Sequence, residues 1–261
     1  MYGDLDVSLL DERPPGRKPV TTAMRPESAR AKVMAFIRAQ VEGGRQAYIV
    51  YPLVEESEKI ALSAATTAFE ALTTGPLAGL RLALLHGRMA ADEKDEVMRR
   101  FRDGAIDVLV ATTVIEVGID VPNATVMVVE HPERFGLSQL HQLRGRVGRG
   151  AAESFCILLG DVGVEAGERL QVIVGSEDGF EIARADLAIR GMGDLFGERQ
   201  SGVPTFRIAD PLKDEALSDA ARAAADRLVD EDPDLARPEH RRIKQVLRRG
   251  YGRALELFRV G

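Results

Sequence analysis

Three arginines fall within six residues in Gln139-Leu140-His141-Gln142-Leu143-Arg144-Gly145-Arg146-Val147-Gly148-Arg149-Gly150. A guanidinium is planar and permanently charged, which suits it to phosphate oxygens. Glycines between the arginines let the backbone turn tightly, so that the guanidiniums can converge on one anionic object. A phosphoryl group whose charge grows in the transition state is such an object. A cation delivered to it from a second domain is an arginine finger. The competing reading is a solvated basic turn.

A second cluster is Ala111-Thr112-Thr113-Val114-Ile115-Glu116-Val117-Gly118-Ile119-Asp120-Val121-Pro122-Asn123-Ala124. It leaves an apolar run that reads as a strand. The hydroxyls of Thr112 and Thr113 stand at the strand end, where they can bond a phosphodiester. Gly118 lets backbone approach a ligand, and Asp120 can accept a hydrogen bond from a sugar hydroxyl. A polar turn into the next strand fits this stretch equally well. A phosphate loop of the Gly-Lys-Ser/Thr kind is missing, since none of the six lysines (18, 32, 59, 94, 213 and 244) follows a glycine. Val7-Ser8-Leu9-Leu10-Asp11-Glu12 looks like a strand ending in a magnesium-holding acid pair, but no phosphate loop precedes it. His86 and His141 have no third ligand near them in sequence, and no Cys/His spacing suits zinc, so no metal site is expected.

These clusters need elements to position them. The first 26 residues read as irregular, broken by Pro14-Pro15-Gly16 and Pro19. Val33, Phe36, Ile37 and Val41 then share a helical face that Gly43-Gly44 stops. Strands are expected at 47–51, 80–85, 107–111, 125–130 and 154–159, and helices at 55–72 and 92–102. That alternation predicts an α/β domain with a parallel sheet, whose ligands sit beyond the C-terminal strand ends. Past Gly160 the pattern turns helical at 170–174 and 180–189. A glycine-rich turn is expected at Gly191, Gly193 and Gly197, and two helical stretches at 212–229 and 238–249.

The chain has 261 residues, 45% hydrophobic and 29% charged, which excludes a disordered polymer. No run of 18 apolar residues and no N-terminal apolar segment is present, so neither a membrane span nor a secretion signal is expected. The single cysteine, Cys156, cannot form an internal disulfide and fits a cytoplasmic location. The net charge of −6 conceals a division: residues 210–236 carry three basic and nine acidic side chains, residues 237–261 eight basic and two acidic. Whole-chain charge therefore says little about local partners. The basic tail could add phosphate contacts, although an amphipathic helix packing Ile243, Val246 and Leu247 inward accounts for it as well.

Gln142-x-x-Gly145-Arg146-x-x-Arg149 resembles motif VI of superfamily-2 helicases, and Thr112 through Gly118-Ile119-Asp120 resembles their motif V. Leu85-His86-Gly87-Arg88-Met89 is similar to a nucleic-acid-contacting segment of their second RecA-like lobe. Asp178-Gly179-Phe180-Glu181-Ile182-Ala183, running into Asp186-Leu187-x-Ile189-Arg190-Gly191-x-Gly193-x-Leu195-x-Gly197-x-Arg199-Gln200-Ser201-Gly202, resembles the translocation motif shared by RecG and Mfd helicases. Tyr2-Gly3-Asp4-Leu5-Asp6-Val7 and Pro14-Pro15-Gly16-Arg17 favour the RecG family. Met192 and Asp194 depart from it, standing where Pro and Glu are common.

The resemblance implies the C-terminal motor part of an ATP-dependent DNA helicase that remodels branched DNA and stalled forks in recombination and repair. It implies a RecA-like parallel sheet flanked by helices, then a helical hairpin and C-terminal helices. The expected divisions are an interlobe segment over 1–26, the lobe over 27–160, the translocation hairpin over 161–205 and a helical segment over 206–261. Arg146 and Arg149 would be catalytic, and Gly118, Asp120 and Gln142 would line ATP. Thr112, Thr113 and His86 would face DNA. Arg169, Arg190 and Gln200 would couple translocation, Arg190 having as its alternative an ion pair with Asp186 or Asp194. ATP with Mg²⁺ would be held mainly by a first lobe outside this chain, as would a wedge domain for the fork. The chain alone would be inactive, and the whole enzyme a monomer. The rivals are the equivalent part of Mfd and a non-catalytic DNA-binding module.

Overall fold

The computed structural model describes residues 18–52, 58–112, 120–195 and 215–257. Two compact units divide the chain, Asp11–Ile189 and a second made of Arg190–Gly261 with Met1–Leu10.

Six parallel strands form the sheet of the first unit: β1 (Val20–Arg25), β2 (Gln46–Val50), β3 (Leu82–Leu85), β4 (Val108–Ala111), β5 (Ala124–Glu130) and β6 (Ser154–Leu159), in the order β1-β6-β5-β2-β4-β3. Every residue of β2, β4 and β5 is buried, as expected of strands covered on both faces. Helices α1 (Arg30–Glu42) and α2 (Glu58–Thr74) belong to one layer, whose core holds Val33, Met34, Ile37 and Leu72 against Ile49, Val110 and Val128. On the other face lie α3 (Ala91–Arg102), α4 (Leu137–Arg144), α5 (Val164–Gly175) and the start of α6 (Gly179–Leu195). Their Met98, Phe101, Leu140, Leu143, Leu170, Ile173 and Ile182 pack with Tyr48, Leu109 and Met127.

Two expectations are corrected. The irregular stretch to residue 26 ends earlier, because Val20–Arg25 pairs with β6 as an edge strand. Its β-branched Val20-Thr21-Thr22 suits a pleated edge, and Pro19 lies just before it, where no ladder N–H is needed. Gly191 and Gly193 make no turn: α6 continues through both to Leu195. Gly197 lies outside the described residues.

The strands end level. Ala111 pairs with both Val50 and Leu85, and Val50 pairs with Val129. Thr112, His86 and Tyr51 therefore leave the sheet along one edge. At that edge Glu130, with no exposure at all, receives Arg30 in two parallel bonds of 2.7 Å. Glu27 holds the same guanidinium from the other side. A buried carboxylate needs such a partner, and a bidentate guanidinium is the strongest available.

The second unit contains α7 (Glu215–Glu231) and, after a 3₁₀ turn at Pro238–His240, α8 (Arg241–Leu257). Leu217, Val229, Val246 and, to a lesser degree, Ile243 and Leu247 are exposed, so the inward packing expected of the last three is not made among the described residues. The link between the helices is built on Asp232. Its carboxylate accepts the N–H groups of Ala236 and Arg237, both at 2.9 Å, and a 2.7 Å bond from His240 Nδ1. Those donors hold the carboxyl pKa down at about 2, the Arg237 amide contributing most. A depressed acid stabilises the fold above its unfolded pKa, near 3.8, and loses that contribution as pH falls through about 2. We expect Asp232→Ala to lower the melting temperature of the α7–α8 link at pH 6, with the gap from the parent closing between pH 4 and about 2. Helicity followed by circular dichroism across that range measures it.

Candidate functional site

The arginine cluster is carried by α4 and the turn that follows it. Strand β5 is followed by His131, whose φ of 50° reverses the chain into a 3₁₀ turn, Pro132–Arg134. Gly136, extended at φ −68° and ψ 154°, then opens α4. Leu137, Leu140 and Leu143 bury one stripe of that helix. Its ladder continues past its end, since Gly145 N–H donates to His141 and Arg146 N–H to Leu143, each at 3.0 Å. Arg146 thus leaves in register with the last helical turn.

The three arginines do not converge. Arg144 is buried, and its Nη1 donates to the carbonyls of Ile173 (2.8 Å) and Ser176 (2.7 Å) at the C-terminal end of α5. Those carbonyls have no partner within their own helix, so a cation there is doubly favourable. Its Nη2 lies 3.0 Å from His141 Nδ1. Arginine has no lone pair to offer, so Nδ1 accepts and the neutral ring carries its proton on Nε2. Gly179 begins α6 directly against that ring, where a Cβ would stand 3.0 Å from Nε2.

Arg146 and Arg149 lie beyond that buried helix end. Arg149 is anchored through Nε to Gly145 O (3.1 Å), while Nη1 stands 3.6 Å from Asp120 Oδ1. About 30% of its side chain stays exposed. Tyr48 of β2 lies beneath this group: burial raises its phenol pKa, the guanidiniums of Arg146 and Arg149 oppose the rise, and Asp120 adds to it. Two cations and one exposed carboxylate thus share a small region at the edge of the lobe. That donor set fits a nucleotide, with cations for phosphate oxygens and an acceptor for a sugar hydroxyl. Gln142 is exposed on α4.

The expected DNA-facing groups sit at adjacent strand ends. Thr112 N–H donates to Leu85 O at 3.1 Å, which joins the two segments. Thr112 is enclosed rather than open, and its Oγ1 and His86 Nδ1 are both buried without a hydrogen-bond partner. Gly118, Thr113 and Gln200 lie outside the described residues, as does the side chain of Arg190. Arg169 of α5 donates to Phe135 O and Glu133 O, each at 2.8 Å, and so fixes the turn leading into α4. Asp186, weighed above as a partner for Arg190, reaches the start of α4. Among the described residues no group of three or more His, Cys, Asp or Glu could hold a metal ion, and no helix is long and apolar enough to cross a membrane.

The sequence reasoning missed Arg144 and Asp186 as parts of this assembly. The signal was present: Arg144 follows Leu137 and Leu140 on the buried stripe, and Asp186 follows Ile182 by one helical turn.

Two family models match. Residues 29–151 match the helicase conserved C-terminal domain, and residues 176–253 match the C-terminal part of domain 3 of the ATP-dependent DNA helicase RecG. The RecG helicase of Thermotoga maritima is 53% identical over 85% of this chain and 28% of its own length. That of Acidithiobacillus ferridurans is 47% identical over the whole of this chain and 37% of its own length. A solved structure of RecG bound to a three-way DNA junction superposes with a TM-score of 0.67 at 51% identity, covering 83% of this chain and 28% of that one. The chain spans about a third of the length of these relatives.

Gly148 shows why the arginine turn needs glycine. Its φ is +74°, and a Cβ there would meet Val20 Cγ2 at 2.6 Å. Gly104 has the same φ of +74° with nothing near its missing Cβ. Gly104→Ala therefore carries only the left-handed strain of about 1–2 kcal/mol. Gly148→Ala should cost about 1–3 kcal/mol more through overpacking against β1. Urea unfolding of both variants beside the parent checks the difference.

Proposed function

The chain belongs to the RecG family of ATP-dependent DNA helicases, and on that premise we propose that it is the part of such an enzyme that completes the ATP site and grips DNA. The observation that carries this reading is the separation of roles within one cluster: Arg144 is buried in the fold, while Arg146 and Arg149 stay at the lobe edge beside Asp120. Arg146 and Arg149 act as arginine fingers on the γ-phosphate as its charge grows. Asp120, with Gln142 and Gly118, meets the sugar and base side of the nucleotide. ATP bound with Mg²⁺ supplies phosphoryl transfer to water. A first lobe with a phosphate loop holds both, since this sequence has no such loop.

Branched DNA is the proposed substrate of the complete enzyme, which works as a monomer in the cytoplasm. We assign the ends of β3 and β4, with Thr112, Thr113 and His86 by their place in the motifs, to the phosphodiester contact, although Thr112 Oγ1 and His86 Nδ1 are enclosed there and are reached only if these ends open. An unsatisfied buried polar atom costs stability unless a partner arrives. Arg169, Arg190 and Gln200 belong to the segment that couples nucleotide state to movement, Arg169 through its hold on the turn before α4.

In a complete helicase carrying this segment, Arg146→Ala or Arg149→Ala should lower kcat for ATP hydrolysis about a thousand-fold, with branched-DNA affinity within about two-fold. Hydrolysis at the parental rate in both variants would overturn the assignment. The 261-residue chain alone should release no phosphate from ATP above background. Steady release abolished by Arg149→Ala would contradict the division of the site between lobes.

A further inference from the structure

Helix α4 begins without a cap of its own. Gly136 occupies the N-cap position and has no side chain to offer. Within the segment, the only first-turn help is the reverse bond in which Gln139 Oε1 accepts Gly136 N–H at 3.0 Å. Leu137, the first helical residue, has no exposure, so water is a poor substitute at its amide, while Ser138 and Gln139 are exposed. A carboxylate from a distant part of the chain fills the gap. Asp186 of α6 is 8% exposed, and its Oδ1 accepts Leu137 N–H at 3.4 Å. Its Oδ2 accepts the Ser138 hydroxyl at 3.1 Å. A negative charge there also sits at the positive end of the helix dipole.

The other end of the same helix carries the two arginines. Arg146 continues its hydrogen-bond ladder, and Arg149 folds back onto Gly145 O. Eight residues make a rod of about 12 Å. Misplacing a reacting group by about 1 Å can cost a hundred-fold in rate. Ground-state nucleotide binding, shared with the first lobe, is less sensitive.

Resting on the reading of Arg146 and Arg149 as fingers, we propose that Asp186 is a positioning residue for ATP hydrolysis: it caps α4 across the fold and so fixes where both guanidiniums stand. It touches no nucleotide. Its effect on the arginines passes through the start of α4, so a cap supplied locally can replace that effect.

The test uses the complete helicase on branched DNA, with kcat and KM for ATP measured separately. Asp186→Ala should lower kcat about ten-fold or more with KM for ATP and DNA affinity within about two-fold. Asp186→Asn keeps a carbonyl acceptor for Leu137 N–H and loses the charge, so it should fall between. The distinguishing variant is Asp186→Ala combined with Gly136→Ser. The extended backbone of Gly136 suits a serine N-cap, and kcat should return to within about two-fold of the parent. Gly136→Ser alone should leave kcat unchanged. Circular dichroism and melting separate misplacement from unfolding, and Asp186→Asn carries the comparison if the alanine variant does not fold. A kcat that stays at the parental value in Asp186→Ala overturns the proposal, as does a loss that Gly136→Ser leaves unrepaired. Full activity of Arg149→Ala would instead overturn the finger reading on which it stands.

Discussion

The structure around the site depends on one short helix being held from outside. Helix α4 is too brief to be stable by itself, since forming its first turn fixes several dihedrals for a single hydrogen bond. Three charged side chains, one of its own and one each from α5 and α6, give it a fixed address. Arg144 joins its end to carbonyls of α5, Arg169 fastens the turn before it, and Asp186 closes its start. Each bond reaches a backbone group or hydroxyl that lacks a helical partner, and each uses a charged side chain. Bonds of that kind are about twice as strong as neutral ones.

This arrangement divides the arginines by their surroundings rather than by type. A guanidinium facing unfilled carbonyls in a closed interior becomes part of the scaffold. A guanidinium leaving the same helix one turn later stands beside an exposed carboxylate instead. Gly148 makes the division possible, because only a left-handed residue without Cβ can turn the chain beside Val20 and send Arg149 back toward Gly145.

Much of this was legible in the residues. The continuous apolar run at Ala47–Tyr51 announced a strand buried on both faces, and the alternation with helices announced a parallel sheet. Arg146, Arg149 and Asp120 were marked by residue type and by the glycines around them, and the structure brings them together. The edge strand Val20–Arg25 was hidden because its partner β6 lies far away in sequence and Pro19 beside it suggested a loop. The helical path through Gly191 and Gly193 was hidden for a related reason: glycine disfavours a helix without forbidding one. Arg144 was grouped with its neighbours because charge suggested the surface, although its position on the buried stripe pointed inward. A local pattern tells which face a residue occupies, but not which distant carbonyl waits there.

The pairing of β1 with β6 has a consequence for how the lobe comes into being. In a chain made from its N-terminus, Val20–Arg25 emerges well before its partner Ser154–Leu159. Until then one rim of the growing sheet has no companion, and pairing between such remote segments is slow. An orphan strand of this kind invites association with other chains. Lys18 and Pro19 precede it and Arg25 ends it, and charges and proline in those places discourage such encounters. Pro19, which gives this strand the look of a loop, is thus also one of the residues that guard it until its partner is made.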